Sequence, residues 1–268
     1  ASLNSSDITH VITVSCTGFF APGLDIELCG RLGLSPHVER VHIGFMGCYA
    51  AFNALKTAHA FCQANPGAVV LVVCVELCTL HFQVSDTMEK AVINSLFSDG
   101  AAAVILRSKS RSEAGGQLTY RTGLCALDDE SRDHMTWEVG DIGFNMGLSR
   151  RVPEVISSML PDYIDALLCK AGKDVSDVSF WAIHPGGRAV VEKAVEVLDL
   201  APEDTFDSTE VLRQFGNMSS PTILFILSRF VQRNRSLVGA GKAGVGNGVA
   251  MAFGPGLTIE GCFIEQVA

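Results

Sequence analysis

The run Ala68-Val69-Val70-Leu71-Val72-Val73-Cys74-Val75 is apolar throughout and closes at Glu76. It is too short to cross a membrane, and its β-branched residues predict a strand buried on both faces. Upstream, Val11-Ile12-Thr13-Val14 leads into a loop with Pro22-Gly23 and an amphipathic helix ending Leu32-Gly33-Leu34. Downstream, Phe180-Trp181-Ala182-Ile183 leads into a loop with Pro185-Gly186 and a helix ending Leu198-Asp199-Leu200. The parts come in the same order. Gly47-Cys48 then opens a helical pattern reaching Gln63-Ala64-Asn65, and Gly216-Asn217 opens one reaching Gln232-Arg233-Asn234. Cys48 and Asn217 are as far apart along the chain as Asn65 and Asn234. A buried strand follows each helix, at residues 69–75 and 249–253. Alternation of strands and helices gives an α/β chain, and the matched order predicts an internal duplication. We divide it into residues 1–117 and 118–268. The second half has a helical lead-in over about residues 153–171, whereas the first has six residues before Asp7. The natural protein is therefore expected to extend upstream by roughly a hundred residues if the halves match in size.

Composition narrows the function. The 268 residues are 48% hydrophobic and 18% charged, which excludes a disordered chain. No run of about 18 apolar residues occurs, so no membrane span is expected. Lys and Arg number 20 against 29 Asp and Glu, a formal charge of −9, which argues against a nucleic-acid partner. Nine cysteines, several inside apolar patterns and none at disulfide spacing, point to the reducing cytoplasm. Without a CxxC, an HExxH or a His/Cys cluster, no metal site is expected.

Three residues stand out chemically. Cys48 sits where an apolar segment meets a helix, and backbone N–H groups there would lower a thiol pKa and favour a nucleophile. The competing reading is a small buried hydrophobe, which we assign to the other cysteines as a default. His184, in Trp181-Ala182-Ile183-His184-Pro185-Gly186-Gly187, ends a strand at the sheet edge where α/β proteins hold ligands. A lone histidine is more often structural, but the Pro-Gly-Gly context serves close approach rather than packing. Asn217 occupies the helix-start position equivalent to Cys48, and an ordinary N-cap is its plain reading. A cysteine, a histidine and an asparagine meeting at one pocket would supply a nucleophile, a base and an oxyanion hole.

Gly47-Cys48, the 181–187 segment, Gly216-Asn217-Met218-Ser219-Ser220 and Phe253-Gly254-Pro255-Gly256-Leu257-Thr258-Ile259-Glu260 together resemble the type III polyketide synthases, the chalcone-synthase-like branch of the thiolase superfamily. The likeness runs in order along essentially the whole chain, and the Ser15-Cys16-Thr17-Gly18-Phe19 context is similar to bacterial members. The resemblance implies a five-layered αβαβα subunit in a homodimer, with acyl-CoA and malonyl-CoA as substrates and no metal or organic cofactor. By the same resemblance, Cys48 carries the growing acyl chain, and His184 and Asn217 stabilise the malonyl-derived enolate and the thioester oxyanion. Phe97 and Phe144 match two gatekeeper phenylalanines between a CoA tunnel and the cavity, although plain core is the other reading of both. Cys16, Ala21, Cys78, Ser219 and Phe253 match cavity positions. Small apolar linings there imply a long-chain acyl starter and an alkylpyrone or alkylresorcinol product.

The sequence departs from the family pattern at Ala252, where a glycine is usual. The family's basic residues for CoA phosphates lie mainly upstream of Ala1, leaving Arg150, Arg151 and Arg188 as candidates here. Rival readings are an initiating ketoacyl-ACP synthase that condenses once and a catalytically silent dimer-forming subunit. A papain-like protease shares the order Cys, His, Asn but lacks the matching Cys-Trp context.

Overall fold

The computed structural model describes residues 3–84, 87–109, 117–141, 143–239 and 246–266. Two four-stranded sheets carry the fold. In the first, β1 (His10–Ser15) lies parallel to both β2 (Glu39–Gly44) and β3 (Val69–Glu76), and β3 pairs antiparallel with β4 (Gly100–Arg107). In the second, β8 (Val178–Ile183) lies parallel to β9 (Asn247–Gly254), which pairs antiparallel with β10 (Thr258–Gln266). The outer neighbour of β10 is β5 (Leu118–Leu127), also antiparallel. The series β1-β3-β4 and β8-β9-β10 thus repeat both order and direction.

Because strand side chains alternate between faces, a strand buried on both sides must be apolar at every position. In β3, Val70, Val72 and Cys74 face one core while Leu71 and Val73 face another. In β9, Ala250 and Ala252 face the first of these cores, and Val249, Met251 and Phe253 face a third. The shared core holds α2 (Ala50–Ala64) and α7 (Pro221–Gly239), sandwiched between the sheets. Small residues Ala50, Ala51, Ala54 and Ala58 line the buried side of α2, and Ile223, Ile226 and Phe230 that of α7. α7 runs past Asn234 to Gly239, further than its counterpart, which stops at Ala64.

The outer layers complete the stack. α1 (Leu24–Leu32) covers the first sheet beside Val11, Leu71 and Val73. α4 (Val152–Ala171) and α5 (Arg188–Val197) cover the second sheet. Apolar residues of α4 recur at helical spacing, so Ile156, Leu160, Ile164, Leu167 and Leu168 all turn inward. The result is the five-layered αβαβα arrangement. β6 (Met135–Gly140) and β7 (Gly143–Leu148) stand apart as an antiparallel pair, with Val139 opposite Phe144. α3 (Met88–Leu96) lies beside β7, and α6 (Phe206–Phe215) precedes Asn217. Among the described residues no helix is long and apolar enough to cross a membrane, and no side-chain cluster is built to hold a metal ion. The nine cysteines are free thiols.

Candidate active site

Cys48 lies in a single 3-10 turn, Gly47–Tyr49, that runs directly into α2. Gly47 adopts a φ of 76°, and a Cβ there would collide with the Pro255 ring, so this turn requires glycine. The preceding segment is fixed from β1: the Gly47 N–H donates to Cys16 Sγ at 3.1 Å. Cys48 is buried, and burial pushes its thiol up to about 11; the nearby Glu76 carboxyl pushes it further the same way. Hydrogen bonds with the Ser219 and Asn217 side chains oppose that rise. The helix start therefore does not yield the low-pKa thiolate expected from sequence, because desolvation outweighs the N–H groups.

Asn217 reaches the sulfur from the other half of the chain. Its N–H donates to Leu96 C=O, and its C=O accepts from Ser98 N–H, both at 2.9 Å, forming a parallel bridge with Phe97. Its side chain is committed on both sides: Oδ1 accepts the Ser219 N–H at 2.8 Å, and Nδ2 donates to Gly186 C=O at 3.3 Å. The helix starts only at Pro221, so Asn217 closes a turn onto Ser219 instead of capping α7. That turn holds Ser219 at a φ of 57°, a conformation uncommon outside glycine.

His184 follows β8 directly, and its N–H donates to Met251 C=O at 2.9 Å. The side chain is fully buried, yet neither Nδ1 nor Nε2 has a hydrogen-bond partner. Burial alone pushes its pKa down to about 3, so the imidazole is neutral at physiological pH. Gly186, two residues further on, is the group that Asn217 holds.

Two cavities meet at Cys48. The inner one, about 90 Å³, is lined among others by Cys16, Cys48, Cys78, Phe97, Phe144 and Ser219. The outer one, about 720 Å³, is lined by Cys48, Phe97, Asn217 and Phe253, and it also takes in Arg150 and Arg188. Eight of the ten site residues named from sequence therefore surround one continuous space. His184 itself lines neither cavity and adjoins the outer one through Gly186. Ala21 is exposed on the loop before α1, in a cis Ala21-Pro22 pair, and lines neither cavity.

One polar residue of the site was not read from sequence beyond its position at the end of β3. The Glu76 side chain is fully buried and accepts from Cys16 N–H at 2.9 Å, Thr17 Oγ1 at 2.7 Å and Ser220 Oγ at 2.6 Å. Burial raises its pKa despite these bonds. A carboxylate closing an otherwise apolar buried strand was the available signal.

Two duplicated α/β halves sharing a helical layer, with a buried cysteine at the junction, define a thiolase-like fold. The profile for "Chalcone and stilbene synthases, N-terminal domain" matches residues 3–110, and its C-terminal counterpart matches residues 126–268. The chain belongs to the chalcone and stilbene synthase family, the type III polyketide synthases. It is 38% identical to "Alpha-pyrone synthesis polyketide synthase-like Pks18" of Mycobacterium tuberculosis, over 98% of this chain and 66% of that protein. It is 34% identical to "3,5-dihydroxyphenylacetyl-CoA synthase" of Amycolatopsis orientalis, over 99% of this chain and 70% of that one. Among solved structures, PKS-I of the brown alga Ectocarpus siliculosus superimposes with a TM-score of 0.95 at 39% identity, covering 99% of this chain and 70% of the other. For 1,3,6,8-tetrahydroxynaphthalene synthase of Streptomyces coelicolor A3(2) the TM-score is 0.88 at 31% identity, covering 100% and 74%. The chain spans about two thirds of the length of the curated relatives it matches first.

Proposed function

We propose that this chain is the catalytic body of a type III polyketide synthase that extends an acyl-CoA starter held on Cys48 with malonyl-CoA units. The observation that carries this reading is the place of Cys48, buried where two cavities meet, with Ser219 and Asn217 of the second half lining those same cavities. The outer cavity is large enough for the pantetheine arm of a CoA ester, and Arg150 and Arg188 stand on its lining for the phosphates.

The chemistry starts with Cys48 as a thiol. Neutral His184 takes its proton as sulfur attacks the starter thioester, and CoA leaves with that proton. Malonyl-CoA then loses carbon dioxide, and the electron pair of the broken C–C bond becomes an enolate. An N–H of His184 and the uncommitted Nδ2 hydrogen of Asn217 stabilise the enolate oxygen. The enolate carbon attacks the Cys48 thioester and expels the cysteine thiolate, which is free for the next cycle. Donors aimed at developing charge in a dry site are typically worth about 10²–10³ in rate each. The grown chain cyclises, on this reading to an alkylpyrone or alkylresorcinol, and the α-pyrone name of the mycobacterial relative supports the first of these.

Three further parts of the reading rest on the family likeness and the free thiols. The working unit is a homodimer, the protein acts in the cytoplasm, and residues 1–117 and 118–268 are its two halves. CoA thioesters are the only small molecules required. Mass spectrometry of the Cys48 peptide after incubation with malonyl-CoA and short, aromatic and long-chain acyl-CoAs tests the core of the proposal. An acyl adduct with triketide or tetraketide products is expected; a bare Cys48 in folded protein rejects it.

A further inference from the structure

Phe144 is held in an unusual way. It faces Val139 across the β6–β7 pair, yet its backbone groups point out of that pair and are both taken by side chains from one distant segment. Its N–H donates to His81 Nδ1 at 3.4 Å, and its C=O accepts from Gln83 Nε2 at 3.1 Å. In an antiparallel ladder every second residue turns its N–H and C=O away from its partner strand, which frees Phe144 for this capture. Both captors are themselves anchored. His81 Nε2 donates to Thr17 C=O at 2.7 Å, which fixes its tautomer, and Gln83 C=O accepts from Asn94 Nδ2 at 2.9 Å. The same Gln83 amide also donates to Asn145 Oδ1 at 3.1 Å.

The ring of Phe144 is fixed from the same side. His81 stacks on it at 4.3 Å and 11°, and Trp137 meets it edge-on at 5.4 Å and 81°. The Trp137 indole N–H in turn donates to Cys16 C=O at 2.8 Å, tying the wall to the segment that supports Gly47. All four side chains border the inner cavity, whose volume is about 90 Å³. A long acyl chain that enters this cavity meets that wall.

We propose that His81 and Gln83 are positioning residues that clamp Phe144 and thereby set how long an acyl chain the inner cavity accepts. This rests on the synthase reading above. The clamp acts through Phe144, not on the reacting atoms, so weakening it shifts chain-length preference rather than the rate of carbon–carbon bond formation.

The test uses Gln83→Leu and Gln83→Glu in the natural full-length protein, since both remove the donor to Phe144 C=O while keeping side-chain bulk. The kcat/KM ratio for hexadecanoyl-CoA over hexanoyl-CoA is expected to rise about fivefold, the size of one lost hydrogen bond, chiefly through KM. An unchanged ratio, or kcat lost equally for both starters, overturns the clamp. A second readout needs no turnover. Trp137 and Trp181 are the two tryptophans of this sequence, so in a full-length background with Trp181 and any tryptophan outside these residues replaced by phenylalanine, acrylamide quenching reports on Trp137 alone. Both Gln83 variants are expected to raise that quenching about twofold, consistent with a wall freed to open; identical quenching also overturns the clamp. If wild-type protein shows no adduct on Cys48, the synthase reading fails, and quenching still decides whether the clamp exists.

Discussion

Phe97 and Asn217 are joined by a single parallel bridge, two 2.9 Å backbone hydrogen bonds between chain segments 120 residues apart. One residue of that bridge lines both cavities, and the other lines the outer cavity beside Cys48. Gly216, immediately before it, adopts a φ of 73°, and a Cβ there would press on Ser98 Oγ. The bridge therefore sets the floor of the outer cavity and the aim of the Asn217 amide in one stroke.

Replacing Asn217 should separate its two roles. Asn217→Asp keeps an acceptor for the Ser219 N–H but has no amide hydrogen to donate. Malonyl-CoA decarboxylation, followed as carbon dioxide release, is expected to fall about 10²–10³-fold. Asn217→Ala loses the turn as well, so its melting temperature should drop below that of the aspartate variant. Equal decarboxylation by wild type and Asn217→Asp would remove Asn217 from the chemistry.

His184 should show no titration near neutrality. Its pKa is lowered by burial to about 3, so the folded protein refuses a proton that the unfolded chain accepts near 6.5. Stability is thus undiminished by this group above about pH 6.5 and falls as acid is added toward pH 3. In NMR spectra the His184 ring signals should stay constant from pH 8 to pH 5, and a midpoint between 6 and 7 would contradict the dry environment described for it.

Alkali should destabilise the fold through its buried thiols. Cys16, Cys48, Cys74 and Cys262 are all raised by burial, Cys48 to about 11. Above the ordinary thiol range the unfolded chain releases protons that the native state retains, so stability is full below about pH 8.5 and declines beyond it. Each thiol contributes up to about 1.4 kcal/mol per pH unit while the two states differ. Urea titrations at pH 8 and pH 10 measure this, and Cys48 alkylation by iodoacetamide should accelerate over the same range. A labelling rate already at its plateau at pH 7 would mean a pre-formed thiolate.

Glu76 is the keystone of three hydrogen bonds, so Glu76→Ala should leave Cys16 N–H, Thr17 Oγ1 and Ser220 Oγ without their acceptor. A loss of about 1–3 kcal/mol per stranded group bounds the effect from above, since hydroxyls can turn elsewhere. Glu76→Gln keeps an acceptor oxygen and should cost less. Chemical denaturation of the two variants gives the comparison, and equal stability of all three proteins would mean that water replaces the carboxylate.

Arg150 and Arg188 offer a separable test of the outer cavity. Arg188→Glu should raise KM for an acyl-CoA about fivefold, the scale of one exposed ion pair, and added salt should shrink the difference. The N-acetylcysteamine thioester of the same acyl group has no phosphate, and its KM should not move. If both donors weaken alike, the arginine supports the cavity wall rather than the phosphates.

Much of this was legible in the sequence because it follows from periodicity. Continuous apolar runs at 69–75 and 249–253 announced strands covered on both faces, and their matched surroundings announced the repeat. Cys48, His184 and Asn217 stand out as candidates in the sequence because glycine and proline beside them make packing a poor explanation. Geometry that depends on distant partners was not legible. Nothing in Val75-Glu76-Leu77 says that the carboxyl meets Thr17 and Ser220, and nothing near Phe144 says that its backbone is caught by His81 and Gln83. The burial of Cys48 is illegible for the same reason: a helix start is local, whereas desolvation comes from the whole fold.

The helical layer between the sheets has a consequence for how the molecule comes apart. α2 of the first half and α7 of the second bury their apolar faces in one core, which also receives one face of each sheet. Each half keeps a core of its own beneath its outer helices, but this central core belongs to both. Cutting the chain between them would bare Phe52 and Leu55 on one fragment and Ile226 and Phe230 on the other, so each fragment would present a large apolar face to water. The repeated strand order thus comes with a shared middle: the face that α2 turns inward is covered by the other half of the chain, and Cys48 sits at the start of that helix.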